Sequence, residues 1–171
     1  MPDDAAPKLE TLRRLNDAGY GFYRNPTRVR ADDLLVRALA ADSLHRAEAA
    51  LLGAEQKLRR AIPEPSREMP FSDPMLLATA RGLRAFQERI AALETRLRGA
   101  AALPDRDFSS VIPSESARNK LVTIDAALFD HVAIIEAGAA KALEPIFSSL
   151  LDAFEQVLSD RANLAARGSA A

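Results

Sequence analysis

Few side chains in this sequence are of types that do chemistry, and their spacing limits what they could do. There are two histidines, His45 and His131, and no cysteine or tryptophan. Asp42, His45 and Glu48 recur every third residue, so a helix would carry them along one edge as a carboxylate–imidazole–carboxylate ladder able to hold a divalent cation. His131 would sit at a similar height on a later, parallel helix, which makes His45, Glu48 and His131 the candidate metal ligands. Di-iron sites in helical bundles use two Glu-x-x-His pairs and two further Glu, and this sequence contains no Glu-x-x-His. The reading favoured instead is a solvated His45 between two acids, with His131 packed among Leu128, Ile134 and Ile135. Asp130 adjoins His131, but neighbours on a helix point about 100° apart, so they cannot serve as orienter and base of a hydrolytic triad.

The absent cysteines exclude disulfide scaffolds, thiolate metal sites and cysteine nucleophiles. The seven glycines are isolated except in Gly19-Tyr20-Gly21, which leaves no phosphate cradle. No cofactor is expected, and the sequence points away from an enzyme.

One segment concentrates aromatic residues: Gly19-Tyr20-Gly21-Phe22-Tyr23-Arg24-Asn25-Pro26 holds both tyrosines and three of the nine aromatic side chains. Tyr and Arg are common at interface hot spots, so Tyr20, Phe22 and Tyr23 are candidates for partner contact. The reading favoured is a plug, with Phe22 and Tyr23 covering the open end of a bundle while Asn25-Pro26 turns the chain into the next helix. Arg24, Arg28 and Arg30 make a small basic cluster, but no stacking platform or groove-reading helix accompanies it, and nucleic-acid binding is not expected.

The elements that would position these residues follow from composition and proline placement. Of 171 residues 34 are Ala and 23 Leu, so strong helix formers supply a third of the chain and an all-α fold is expected. A length of 171 residues suits a single domain, 1–171. Nine of the ten prolines fall in or beside stretches without helical periodicity, and only Pro145 interrupts a long periodic run. A short helix is expected over 7–18, with Leu9, Leu12 and Leu15 as its stripe and Gly19 as its stop. Long helices are expected over 27–61, 72–99 and 114–167. Leu44, Ala47, Leu51, Ala54, Leu58 and Ile62 mark the first, Ser72-Asp73-Pro74 opens the second, and Leu83, Phe86, Ile90, Leu93 and Leu97 form its seam. The third keeps one face from Leu121 to Val157, and Pro145 should bend it near residues 141–144. The expected fold is an elongated up-down bundle of three long helices plus the short N-terminal one.

A last helix of about 50 residues would outrun its partners. Its end, 144–167, would project as an arm carrying Ile146, Phe147, Leu150, Leu151, Phe154, Val157 and Leu158, too wide an apolar stripe to leave in water. The short helix, a turn back at Pro145, or a second chain could cover it. Phe147, Leu150, Leu151, Phe154, Val157 and Leu158 are accordingly the candidate partner-binding residues.

Charge narrows the partners. The net charge of −1 supplies no field for nucleic acid or an anionic membrane, and the acids of the arm suit a lipid surface poorly. No apolar run is long enough to span a bilayer and the N-terminus lacks the basic start of a signal peptide, so a cytoplasmic protein is expected. The sequence reads as a non-enzymatic protein-binding or self-assembling helical module, of adaptor, scaffold or chaperone-like kind. The alternative is a metal-binding bundle or enzyme built on His45 and His131.

Overall fold

The computed structural model describes residues 22–25, 27–63, 67, 73–100, 102–103, 114–141 and 144–168. Four helices run through them: α1 Val29–Ala61, α2 Pro74–Gly99, α3 Glu115–Lys141 and α4 Glu144–Gly168. The fold is all-α, as composition and periodicity dictate. The expected helix over 7–18 and Tyr20 lie outside the described residues.

Local signals set the ends. Asp73 caps α2, its carboxylate accepting the Met75 N–H at 2.8 Å, with Pro74 in the first turn where a missing N–H costs nothing. Ser114 caps α3 through Ala117 N at 3.1 Å. Arg59 and Arg60 close α1 at its negative dipole end.

The run expected as one bent helix is two helices. α3 ends at Lys141 and α4 begins at Glu144, which places Pro145 in the first turn of α4. In a first turn a missing backbone donor is not needed, so proline opens a new helix more cheaply than it bends an old one. α4 then runs back along α3: Arg161 reaches Asp125, and Gly138 lies against Phe147 near the turn. A Cβ added at Gly138 would stand 2.9 Å from Phe147 Cε2, so glycine lets the aromatic ring close this hairpin.

Around the bundle the order is α1, α2, α4, α3, each helix packing on the next. α1 and α2 are antiparallel, with Asp42 beside Arg98 and His45 beside Glu94. α1 and α3 run parallel, joined by Arg46 and Glu136, and α2 and α4 run parallel, joined by Arg89 and Glu155. One continuous core fills the centre: Leu44, Leu51, Ile90, Leu97, Leu121, Leu128, Ile135, Leu151 and Phe154 are all nearly inaccessible.

The candidate arm belongs to that core. Phe147, Leu151, Phe154 and Leu158 are buried, and Leu150 and Val157 pack against them. Phe147 meets Phe86 of α2 with ring centroids 5.4 Å apart. Four of the six are therefore bundle interior, with Leu150 and Val157 half-buried at its edge, and the stripe is not a free partner-binding face: turning α4 back along α3 packs it within the chain.

Candidate functional site

The densest chemistry is a buried polar clasp at the end of the bundle where α1 begins. Phe22 and Tyr23 enter it, and Tyr23 is fully buried with φ of 64°, a left-handed conformation uncommon for a bulky residue. Its position is over-determined. The Tyr23 N–H donates to Asp32 Oδ2 at 3.0 Å, and its hydroxyl donates to Asp125 Oδ2 at 2.5 Å. Arg161 of α4 ties the cluster together, giving Nε to Asp125 Oδ1 and Nη2 to Asp33 Oδ1, each at 2.7 Å. Asp33 also accepts from Arg37 Nη2 at 2.6 Å and from the Leu103 N–H at 3.1 Å, while Arg37 Nη1 donates to the Ala100 carbonyl.

Two carboxylates, Asp33 and Asp125, thus face two guanidiniums, Arg37 and Arg161, all largely inaccessible to solvent. Buried ions persist only when paired and hydrogen-bonded. Burial pushes the Tyr23 hydroxyl well above its ordinary range, and the Asp125 carboxylate adds to this. Burial also raises Asp125, against the pull of Arg161. For Arg161 burial works the other way but is outweighed by Asp125, Tyr23 and Asp33, which raise its affinity for the proton. The clasp joins the chain entering α1, α1 itself, the exit of α2, α3 and α4. Apart from the buried Arg37 Nε, which has no partner, the donors and acceptors named here are engaged with one another, and they tie these helices together.

Phe22 and Tyr23, candidates for partner contact, are therefore the plug. Phe22 is 7% exposed and Tyr23 is 0% exposed, so neither offers a surface to another molecule.

The two histidines do not meet. His45 is on the outward side of α1 next to α2, where its Nδ1 lies 3.5 Å from Glu94 Oε2 and 3.9 Å from Glu48 Oε2. His45, Glu48 and Glu94 offer three donor atoms within 4.8 Å of one another. Glu94 came from α2, which spacing along α1 could not reveal. Arg98 bonds both Glu94 and Asp42 at 2.9 Å and places a positive charge beside the group. His131 is on α3, its Nδ1 2.7 Å from the Ala127 carbonyl. It takes no part in the His45 cluster, because α1 meets α3 on its other flank, through Arg46 and Glu136.

A groove of about 250 Å³ lies between α3 and α4, lined by Lys120, Ile124, Asp160, Asn163 and Leu164. It holds a cation, a carboxylate and an amide but no nucleophile beside a base.

The outward surfaces differ. On α2 and α4 they are mainly polar: Arg84 pairs with Glu88, Arg89 with Asp152 and Glu155, and Gln156 with Asp160, with Met75 in the first turn of α2 the exposed exception at 78%. On α1 and α3 apolar side chains stand exposed among polar ones such as Asp42, His45, Asn119 and Lys120. Leu34, Leu35, Leu52 and Ile134 stand 42–50% exposed, and Ala31, Ala38, Ala49, Ala126, Ala133 and Ala137 are exposed between them. No family model, curated protein or solved structure matches the chain. No described helix is long and apolar enough to cross a membrane.

Proposed function

We propose that this chain is a non-enzymatic helical-bundle module that binds protein, working in the cytoplasm as an adaptor, scaffold or assembly unit. The observation that carries this reading is the apolar outward side of two adjacent helices. Four large aliphatic side chains half exposed, with alanines around them, make a surface that water disfavours and that an apolar helix fits closely. Two parallel helices, each about 10 Å wide and in register over about 40 Å, offer about 800 Å² per partner, the area of a standard protein interface.

The test is the native mass of the protein in extracts of cells that make it. Wild type should elute above the 18.5 kDa of one chain. Leu35→Glu with Ile134→Glu should elute as one chain, whereas Ala85→Glu with Gln156→Glu on α2 and α4 should leave the assembly intact. Elution of wild type as one chain, or loss of assembly only with the second pair, would sink the reading.

A second reading has one observation in its favour: His45, Glu48 and Glu94 could take a borderline-soft divalent ion such as zinc, with the Glu94–Arg98 pair working against it. Calorimetric titration with zinc decides it, since one site per chain that disappears in His45→Ala would establish metal binding.

A further inference from the structure

The outward residues of α1 are arranged as a palindrome. From Leu35 the exposed positions run Leu35, Ala38, Asp42, His45, Ala49 and Leu52, separated by three, four, three, four and three residues. This is the spacing of a helix seam. Read from either end, the order is leucine, alanine, polar, polar, alanine, leucine, and its centre lies between Ser43 and Leu44. Ala31 and Gln56 are equidistant from the same centre and are also exposed. None of these side chains serves the bundle core.

We propose that this stripe pairs with the same stripe of a second copy, α1 against α1, antiparallel about a two-fold axis at Ser43–Leu44. The inference rests on the protein-binding reading and names the partner. A two-fold contact requires each residue to meet its mirror mate, and every pair here is complementary. Leu35 meets the partner's Leu52, with Leu34 flanking the same contact. Ala38 meets the partner's Ala49, and two alanines let helix axes approach to the short end of the usual 8–10 Å range. At the centre, Asp42 meets the partner's His45, a carboxylate opposite an imidazole donor, twice per dimer. Their side chains are 56% and 69% exposed, and a carboxylate can accept more than the one bond that Asp42 gives Arg98.

Charge fixes the length of the seam. The next positions outward are Arg28 and Arg59, which the same register would bring together as like charges. The contact therefore ends near Ala31 and Gln56, about 37 Å apart. A single helix pair of that length buries less than a standard interface, so the dimer should be weak, with a dissociation constant on the order of 10 µM. Salt should not weaken it, because screening relieves the repulsion at its ends.

The chain has no cysteine, so introduced thiols report register without interference. In a glutathione buffer with chelator present, Ala38→Cys chains mixed with Ala49→Cys chains should form a covalent heterodimer. Neither variant should form a homodimer readily, since self-pairs stand about 16 Å apart along the seam. Leu35→Glu in both chains should slow the mixed cross-link at least tenfold. Equal cross-linking in the mixture and in the single variants would overturn this register. Wild type sedimenting as one chain at 200 µM would overturn self-pairing altogether. If the chain is larger in cell extracts and yet a monomer when pure, the protein-binding reading stands and only the second copy as partner falls.

Discussion

α2 and α4 are sided helices, whereas α1 and α3 are not, and this contrast separates what folds the molecule from what the molecule presents. On α2 and α4, leucine, isoleucine and phenylalanine point inward while arginine and acidic residues face water and pair across the surface. Such a face contributes little to stability and resists contact, because exposed ion pairs are weak and well hydrated. On α1 and α3, apolar side chains remain outside after the core is complete. A helix that is apolar on both sides normally has neighbours on both sides. Among the described residues, α1 and α3 have neighbours on one side only.

The sharpest way to break this contrast is to put the same charge inside and outside. Phe154→Glu places a carboxylate in the core between helices and should destabilise the chain by more than about 4 kcal/mol, seen as loss of helical signal. Ile134→Glu, on the outward side of α3, should change stability by less than about 0.5 kcal/mol. Similar costs at the two sites would mean that α4 is not folded into the bundle.

The clasp gives the next largest effect. Arg161→Met strands Asp125 in the interior without a cation, leaves Asp33 with Arg37 alone, and should cost about 3–5 kcal/mol in denaturant unfolding. Adding Asp125→Leu to Arg161→Met, with the Asp33–Arg37 pair kept, should recover much of that loss, since the penalty comes from unpaired buried charge and not from the missing pair. No recovery in the double variant would show instead that the ionic contacts themselves hold the helices.

Alkaline titration yields a smaller effect of definite sign. The folded state holds the Tyr23 hydroxyl above its unfolded value of about 10. A raised folded value contributes stability that is fully present below that pH and is lost as the pH climbs through and beyond it. In a Tyr20→Phe background, absorbance at 295 nm should show Tyr23 ionising together with unfolding. Ionisation near pH 10 in a chain that keeps its helices would place the hydroxyl in water. The smallest effect belongs to the polar face, where Arg89→Ala should cost about 1 kcal/mol or less despite three partners, because these groups remain largely hydrated.

Sequence periodicity made the helices legible where strong signals coincide. The Asp73-Pro74 start, the Leu83 to Leu97 seam and the Ser114 cap all hold within a residue or two. Pro145 was visible, but its consequence was not: a proline in a continuous stripe marks either a bend or a new first turn, and only the packing of Phe147 on Gly138 and Phe86 distinguishes them. The arm looked exposed because a stripe reveals which face is apolar without revealing what covers it. Of the clasp only Tyr23 left a trace, as part of the aromatic plug, since Asp33, Asp125 and Arg161 are far apart in sequence and each alone reads as a surface residue. The stripe on α1 was hidden for the opposite reason: Leu34, Leu35 and Leu52 resemble core leucines until Leu44 and Leu51 are seen to fill the interior.

Site-resolved photo-crosslinking in the cells that make the protein tests the central claim most directly. A photoreactive residue is placed in turn at Leu35 and Ile134 on α1 and α3, and at Ala85 and Gln156 on α2 and α4. Discrete products heavier than one chain should arise from Leu35 and Ile134 and be absent from Ala85 and Gln156. Products from α2 and α4 alone, or from all four positions equally, would contradict the assignment of the apolar side as the surface this bundle presents to its partner.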